Sequence, residues 1–324
     1  MKVLLPTSVE LAPEAVDGVA YVPYDPQVPI PTHHHDAEAL VVWGNPDALL
    51  RDAARRLTRV RWVQTLAAGY EALRGAGFAD TVTLTSGQSL HDDTVAEHAL
   101  ALCLAAVRSL PDAMRAQRLH RWATEIGGRQ SERLDEPLRT LHGARVTVWG
   151  FGGIATRLAT LLDALGARVT GVARHAGTRA GYRVHAVADL PALLPDTDIL
   201  VTILPGTPGN RGALDGPLLG LLPPRAWLVN VGRGETVDED ALVAALRREA
   251  IAGAALDVFA TEPLPAASPL WDLPNVIITP HAAGGRPRGA DALITQNLRA
   301  LRSGASLRNV VPREESTVEG EDSA

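Results

Sequence analysis

The chain has 324 residues, of which 46% are apolar and 21% charged, and its formal net charge is −6. This length exceeds what one hydrophobic core usually supports, so we expect two domains. The negative charge and the lack of a long basic run argue against nucleic acid or an anionic membrane surface as a partner, which leaves small molecules.

Two further features of the composition narrow the chemistry. Cys103, the sole cysteine, lies in an apolar run and is expected to be buried and inert, and Lys2 is the sole lysine. A lysine Schiff base or a P-loop mechanism is therefore excluded. No apolar run reaches the roughly 18 residues of a membrane span and no secretory signal is recognisable, so we expect a cytoplasmic protein.

The first part of the chain alternates strand-like and helix-like segments. The predicted strands are Lys2–Leu5, Ala39–Trp43 and Arg61–Gln64, and Pro46–Leu57 is a predicted helix. This alternation predicts a parallel sheet. The segment Thr94–Arg108 is apolar on nearly every face, which predicts a buried helix that crosses between the domains. The polar stretch Arg121–Arg139 is interpreted as an exposed excursion.

A second βα series follows and predicts a doubly wound sheet. Its predicted strands are Arg145–Trp149, Arg168–Val172, Asp198–Ile203, Ala226–Val231, Ala254–Val258 and Asn275–Thr279, and its predicted helices are Ile154–Leu165 and Asp238–Arg248. A last helix around Asp291–Arg302 is expected to pack on the N-terminal domain. The acidic tail, residues 312–324, is expected to be disordered. The run His33–His35 is interpreted as a solvated loop, and no metal site is predicted.

The segment VTVWGFGGIA (Val146–Ala155) runs from a predicted strand through Gly-x-Gly-x-x-Ala into a predicted helix. Gly150 permits the tight turn, Gly152 lets a pyrophosphate approach the backbone, and Ala155 keeps the helix close to the sheet. Glycine-rich turns alone are common. Because both flanking elements fit, we predict a dinucleotide site rather than a structural turn.

Three candidate catalytic residues, Arg233, Glu262 and His281, each follow a predicted strand of the second series. The carboxyl ends of parallel strands line the ligand crevice of an open sheet, so these residues can converge. Reduction of a 2-oxo acid needs a cation that polarises the carbonyl oxygen and an acid that protonates it. Arginine and histidine supply these functions, and a neighbouring carboxylate favours the protonated imidazole. Taken singly, each residue also has a structural interpretation.

Four segments together resemble the D-isomer-specific 2-hydroxyacid dehydrogenase family, which includes glyoxylate/hydroxypyruvate reductases and phosphoglycerate dehydrogenases. They are the glycine loop, VNVGRGETVDEDALVAAL (Val229–Leu246), AALDVFATEPLP (Ala254–Pro265) and NVIITPHAAG (Asn275–Gly284). The resemblance implies that Arg233 binds the oxo acid, that His281 is the acid/base and that Glu262 pairs with His281. It also implies a homodimer built on Thr94–Trp122 and the excursion Arg121–Arg139.

The resemblance further implies an α/β fold in which a Rossmann-type doubly wound domain is inserted in a smaller flavodoxin-like substrate domain. The expected parts are residues 1–93 (substrate domain), 94–284 (dinucleotide domain) and 285–311 (return helix of the substrate domain). Expected cofactor contacts come from Gly150, Gly152, Gly153, Ile154, Arg174, His175, Leu204, Pro205, Val231 and Asp257. Expected substrate contacts come from Leu66, Ala67, Ala68 and Gly69, together with Arg233 and His281.

The expected cofactor is NADP in preference to NAD. NAD-selective members of this fold carry an Asp or Glu about 20 residues beyond the glycine loop, where it binds the ribose hydroxyls. Here no acid occurs between Asp163 and Asp189, and Arg174 and His175 stand there instead. The alternative is that these arginines merely reflect the arginine-rich composition of the chain and that NAD is accepted through unselective contacts.

Two other functions remain open at this point. A formate- or phosphite-type dehydrogenase would keep the fold and the cofactor but change the substrate. A nucleotide-sensing, corepressor-like protein would keep the fold without the reaction, since fold does not fix function. Which 2-hydroxy acid would serve as substrate is left undetermined.

Overall fold

The computed structural model describes residues 1–127 and 138–312. The chain divides into two compact units, Met1–Leu90 with the segment from Arg286 onward, and His91–Gly285. The second unit begins three residues before the dinucleotide domain expected from the sequence and ends one residue after it.

The strands are β1 (Lys2–Pro6), β2 (Ala20–Tyr24), β3 (Ala39–Val42), β4 (Trp62–Thr65), β5 (Thr83–Thr85), β6 (Arg145–Trp149), β7 (Arg168–Ala173), β8 (Gly177–Arg179), β9 (Tyr182–Ala186), β10 (Ile199–Thr202), β11 (Trp227–Asn230), β12 (Gly253–Leu256) and β13 (Val276–Ile278). The helices are α1 (Asp47–Arg56), α2 (Glu71–Arg74), α3 (Asp92–Val107), α4 (Leu110–Arg118), α5 (Thr124–Gly127), α6 (Gly153–Ala164), α7 (Leu190–Leu193), α8 (Gly216–Leu219), α9 (Glu239–Arg247) and α10 (Ala290–Ser303).

The first unit contains a parallel five-stranded sheet in the order β2-β1-β3-β4-β5. This 2-1-3-4-5 order is that of flavodoxin-like folds. Strands β3 and β4 are buried along their whole length because both faces of the sheet are covered. One face packs on residues of α1, among them Leu50, and the other packs on Ile294 and Leu298 of α10. The C-terminal helix thus completes the core of the first unit.

The second unit contains an eight-stranded sheet in the order β13-β12-β11-β10-β6-β7-β9-β8. Apart from β8, which pairs antiparallel with β9, its strands are parallel, and β6 is the point at which the strand order reverses. A doubly wound sheet binds its ligand at such a switch point, outside the carboxyl ends of the strands. The glycine loop follows β6 directly. The α/β fold class with a Rossmann-type sheet is therefore confirmed.

Helix α3 packs against α6 and contributes Ala96, Ala99 and Cys103 to the core of the second unit. Cys103 is fully buried, and burial raises the pKa of its thiol to about 12. The prediction of a buried cysteine is confirmed. Within the two described ranges, no helix combines the length and the apolar character needed to span a membrane.

Four strands, β2, β5, β8 and β9, were not predicted from the sequence, and in each case a local feature of the strand explains why. Strand β2 contains Pro23, which usually argues against a strand, and β5 has three residues. Strand β8 is exposed throughout, and β9 buries Val184 alone, so neither shows a clear alternation. Part of the predicted excursion (128–137) and the tail after Pro312 lie outside the described residues.

Candidate active site

The glycine loop joins β6 to α6 at the switch point of the sheet. Gly150 has φ +99°, and a Cβ there would lie 2.5 Å from the carbonyl oxygen of Ile203, so only glycine fits. Gly152 is extended at the N-cap of α6, whose first residues are Gly153 and Ile154. A Cβ at Gly152 would meet no atom within 4 Å, which leaves the open backbone that a pyrophosphate needs.

A cavity of about 400 Å³ opens beside the glycine loop, and its size and lining suit an adenosine group. Its walls are formed by Trp149, Gly150, Ala173, Arg174, Val187, Leu190, Pro191, Leu204, Pro205, Gly209, Asn210, Ala213 and Leu218. The Asn210 amide donates to the carbonyl of Pro205 at 3.0 Å and so fixes the loop after β10. Arg174 and its neighbour His175 are exposed at the end of β7. The residues present therefore fit a dinucleotide.

The hairpin formed by β8 and β9 is tied to the glycine loop. Arg179, the last residue of β8, donates from Nη1 to the carbonyl oxygen of Phe151 at 2.6 Å. Phe151 is buried in the core of the unit. The hairpin that follows Arg174 and His175 is thus attached to the loop expected to bind the phosphates.

The three predicted catalytic residues follow neighbouring strands. Arg233 follows β11, Glu262 follows β12 and His281 follows β13, and the three strands pair in parallel in that order. Their carboxyl ends consequently meet at one edge of the sheet. The structure places the three residues on consecutive loops along this edge.

Glu262 and His281 are in direct contact. The carboxylate oxygen Oε2 of Glu262 lies 2.6 Å from Nδ1 of His281, and the other oxygen accepts from the backbone N–H of Phe259 at 2.9 Å. With Nδ1 bonded to Glu262, Nε2 is the ring nitrogen left to exchange a proton with a substrate. The pair borders an otherwise apolar hollow of about 420 Å³ whose wall includes Leu264 and Trp271.

The turn that carries Arg233 packs against the loop that carries Glu262. A Cβ at Gly234 would lie 1.9 Å from the carbonyl carbon of Phe259, so the two backbones are in contact there. Asn230, at the end of β11, accepts from the N–H of Gly232 at 3.0 Å and donates to the carbonyl of Arg233 at 3.3 Å. The guanidinium of Arg233 donates to the carbonyl of Gly232 at 2.8 Å and is half-buried.

Asp257 holds the turn on which His281 lies. Its buried carboxylate accepts from the N–H groups of Ala282 and Ala283 at 2.9 and 3.0 Å and from the Thr279 hydroxyl at 2.6 Å. Its carbonyl accepts from the His281 N–H at 2.8 Å, and His281 has φ 52°, in the left-handed region. Such a backbone persists only where its surroundings determine it, and Asp257 supplies those contacts. The contact of Asp257 with the cofactor stays a prediction.

The segment expected to bind the substrate carboxylate, Leu66–Gly69, belongs to the first unit and follows β4. The Ala67 N–H donates to the Thr65 hydroxyl at 3.1 Å. Among the hydrogen bonds of the described residues, none uses the N–H groups of Ala68 and Gly69. Ala68 is exposed and Gly69 half-exposed.

Comparison with known proteins agrees with this geometry. The model of the D-isomer specific 2-hydroxyacid dehydrogenase family, NAD binding domain, matches residues 100–283. Glyoxylate/hydroxypyruvate reductase A of Serratia proteamaculans is 31% identical over 290 residues, which cover 87% of this chain and 88% of the reductase. The chain belongs to the D-isomer specific 2-hydroxyacid dehydrogenase family.

Two solved structures, of a dehydrogenase and of a reductase, are also similar to this chain. A D-isomer specific 2-hydroxyacid dehydrogenase from Xanthobacter autotrophicus, in complex with NADPH and MES, is 32% identical with a TM-score of 0.74 and covers 91% of this chain and 90% of its own. An NADPH-dependent glyoxylate/hydroxypyruvate reductase from Sinorhizobium meliloti, in complex with NADP and sulfate, is 25% identical with a TM-score of 0.78 and covers 96% of this chain and 97% of its own. The predicted family is thus confirmed, and with it an NAD(P)-dependent oxidoreductase that acts on CH–OH groups.

Sequence reasoning missed several residues that shape the site of this dehydrogenase. Asn230 fixes the Arg233 turn, and His98 contacts both Thr279 and Asp257, at 3.0 and 3.3 Å. An asparagine that ends an apolar strand two residues before a glycine was a usable signal for Asn230. The His98 contact joins α3 to the end of β13, and no sequence spacing indicates it.

Proposed function

We propose that this dehydrogenase reduces a small 2-oxo acid with NADPH, with His281 as the acid/base, Glu262 as its orienting partner and Arg233 as the polarising cation. The contact of 2.6 Å between His281 and Glu262 carries the proposal, because it pairs an imidazole with a carboxylate at the carboxyl edge of the sheet, as acid/base chemistry requires. We also propose cofactor contacts from Leu204 and Pro205, which line the cavity beside the glycine loop, and from Val231, which follows β11.

The chemistry of these side chains suits reduction. The bound nicotinamide supplies the hydride. Negative charge then develops on the substrate carbonyl oxygen, which the Arg233 guanidinium stabilises. His281 donates the proton from Nε2, and the Glu262 carboxylate stabilises the imidazolium before that transfer. In the oxidative direction, neutral His281 accepts the proton at the same nitrogen.

The N–H groups of Ala68 and Gly69 are proposed to bind the carboxylate of the substrate. Two adjacent backbone N–H groups of this kind suit a carboxylate, because each can donate to one oxygen. Leu66 and Ala67 are proposed to shape the same segment. The proposed substrate class is therefore an acid with a carboxylate next to the carbonyl group.

The experiment that tests the function is an assay of glyoxylate, hydroxypyruvate, pyruvate and bulkier 2-oxo acids with NADH and NADPH separately. Two relatives are named for glyoxylate and hydroxypyruvate, so we expect turnover of at least one of these. Formate and phosphite are assayed in the oxidative direction with NAD+ and NADP+, and turnover of these substrates alone would favour the second type of dehydrogenase. Tight dinucleotide binding without any turnover would favour a nucleotide sensor.

We predict that NADPH is preferred over NADH and that Arg174 is the cause. Arg174 is exposed directly after β7 and lines the cavity proposed for adenosine. A guanidinium can bind the 2′-phosphate of NADPH by charge-assisted hydrogen bonds. Arg174→Ala is expected to raise KM for NADPH about tenfold and to leave KM for NADH nearly unchanged.

Arg183→Ala is the matched control for that experiment. Arg183 is also exposed and lies on β9, but it is not part of the cavity wall. We expect this variant to keep the wild-type KM for both cofactors. Better efficiency of the wild type with NADH, or an unchanged KM for NADPH in Arg174→Ala, would sink the proposal.

We further propose that the protein is a homodimer built on the region Thr94–Trp122. Its exposed apolar side chains include Leu110, Met114, Leu119 and Trp122, and Trp122 is 89% exposed. Leu110 and Met114 lie one turn apart on α4, and exposed apolar side chains grouped in this way mark interaction surfaces. Sedimentation at micromolar concentration is expected to give a dimer, and Leu119→Glu is expected to shift it toward the monomer. Leu165→Glu, at an exposed leucine outside the region, serves as the control and should stay dimeric.

The cellular location is proposed to be the cytoplasm. The single thiol of the chain is buried in α3, so the structure needs no oxidising compartment to form disulfides. Fractionation of cells that express the full chain checks this.

A further inference from the structure

A fully buried polar cluster lies beneath the segment Leu66–Gly69. It consists of Gln64 and Thr85 on neighbouring strands and of Asn297 on α10, and each is 0% exposed. The side-chain oxygen of Gln64 accepts from the Thr85 hydroxyl at 2.8 Å and from the Asn297 amide at 2.9 Å. Buried amides are costly unless their hydrogen bonds are made, so a cluster at this place calls for a reason.

The amide nitrogen of Gln64 bonds to the backbone where β4 and β5 end and the following loops begin. It donates to the carbonyl of Thr65 at 2.7 Å and to the carbonyl of Ser86 at 2.9 Å. Thr65, the last residue of β4, directly precedes the segment expected to bind the substrate carboxylate, and its hydroxyl accepts from the Ala67 N–H at 3.1 Å. One side chain thus fixes both the start of that segment and the neighbouring loop.

The neighbouring loop is in backbone contact with the same segment. The Gly87 N–H donates to the carbonyl of Ala67 at 2.7 Å, and a Cβ at Gly87 would lie 2.1 Å from the carbonyl oxygen of Leu66. Gly87 follows Ser86 directly, so the Gln64 amide fixes the backbone position of both contacting segments, one after Thr65 and the other after Ser86. Ala67 is held from two sides, and the N–H groups of Ala68 and Gly69 come directly after this fixed point.

Helix α10 and the segment that follows it also hold the loop that begins at Ser86. Asn297 accepts at Oδ1 from the N–H of Arg308 at 2.8 Å, and Asn309 donates to the carbonyls of Ser86 and Gln88 at 3.3 and 2.9 Å. The Ser86 N–H in turn donates to the Asn309 carbonyl at 2.9 Å. The segment after α10 is therefore bonded to the loop that contacts Leu66 and Ala67.

We propose that Gln64 and Asn297 are positioning residues for the substrate carboxylate, acting through Thr65, Ala67 and Gly87 on the N–H groups of Ala68 and Gly69. This inference rests on the proposed function, in which those N–H groups bind the substrate. By this inference the segment after α10, which includes Arg308 and Asn309, contributes to substrate affinity. A displacement of about 1 Å in such a segment is enough to weaken binding strongly.

The test compares Gln64→Met and Asn297→Leu with wild type in steady-state reduction of glyoxylate. Both variants keep side-chain volume but remove the hydrogen bonds, so the loops shift. We expect KM for glyoxylate to rise about tenfold, while kcat and the Kd of NADPH stay within about a factor of two. This split separates a positioning role from a general loss of structure.

Thr147→Val is the matched control. The Thr147 hydroxyl is buried and lies 2.7 Å from that of Thr197, in the other unit. We expect this variant to lower the melting temperature without raising KM for glyoxylate. If the cluster variants and the control gave the same kinetic profile at equal loss of stability, the role would be merely structural and the inference overturned.

A milder variant keeps the test decisive if Gln64→Met and Asn297→Leu fail to fold. Asn309→Asp removes the amide donor at a half-buried position, and aspartate tolerates the φ of 56° found there. We expect a rise of KM for glyoxylate of about threefold, again without change in the Kd of NADPH. An unchanged KM in an active, folded variant overturns the inference alone, whereas a wild type inactive with every 2-oxo acid overturns the proposed function and the inference together.

Discussion

Replacement of His281 by alanine is expected to lower kcat for reduction of the preferred 2-oxo acid by about a thousandfold. The substitution removes the proton donor at Nε2, so the alkoxide that develops on the substrate is no longer protonated by the enzyme. NADPH binding should persist, because the glycine loop and the adenosine cavity contain no atom of His281. Single-turnover kinetics and fluorescence titration with NADPH measure the two quantities separately.

Glu262→Gln is the companion variant. The Glu262 carboxylate contacts both the Phe259 N–H and His281, so a glutamine can keep the shape of the loop while it removes the charge. We expect a smaller loss of activity than for His281→Ala, because the imidazole keeps a hydrogen-bond partner at Nδ1 but loses the carboxylate charge beside it. A His281→Ala enzyme with near wild-type kcat would refute the assignment of the acid/base.

Replacement of Arg233 by alanine is expected to lower kcat/KM for the 2-oxo acid by about a thousandfold. The loss of the guanidinium removes the cation that stabilises the developing oxyanion. Arg233→Lys should recover only part of the activity, since a lysine cannot reproduce the planar, forked donor geometry. Steady-state kinetics with saturating NADPH, beside thermal unfolding of each variant, provide the measurement.

Arg247→Ala provides the control for Arg233. Arg247 is an exposed arginine in the last turn of α9, and its removal changes the net charge by the same amount. We expect wild-type kinetics for this variant. If both substitutions reduced kcat/KM alike, general electrostatics rather than polarisation by Arg233 would explain the effect.

The sequence predicted the fold well where burial dictates the pattern. Strand β6 has the predicted bounds, and the neighbouring strands and helices differ from their predicted bounds by one or two residues. Parallel strands covered on both faces appear as uninterrupted apolar runs, which are easily recognised. The exposed hairpin of β8 and β9 has no such pattern, because its pairing is determined by contacts such as that of Arg179 with Phe151.

The sequence predicted which residues form the candidate site but not the contacts between them. The spacing of Arg233, Glu262 and His281 after successive strands indicated one shared edge of the sheet. The contacts that orient them depend on the geometry of individual turns, such as the carboxylate of Asp257 that accepts from two consecutive N–H groups. Turn geometry of this kind arises from tertiary packing, which periodicity in a sequence does not report.

The buried Cys103 has a practical consequence for experiments on this enzyme. A thiol with a pKa of about 12 inside α3 offers almost no thiolate to alkylating reagents or peroxide. The native chain should therefore be resistant to oxidative inactivation through sulfur chemistry at cysteine. A cysteine introduced at an exposed position would become the single reactive thiol, so fluorophores or spin labels could be attached there without first removing a native residue.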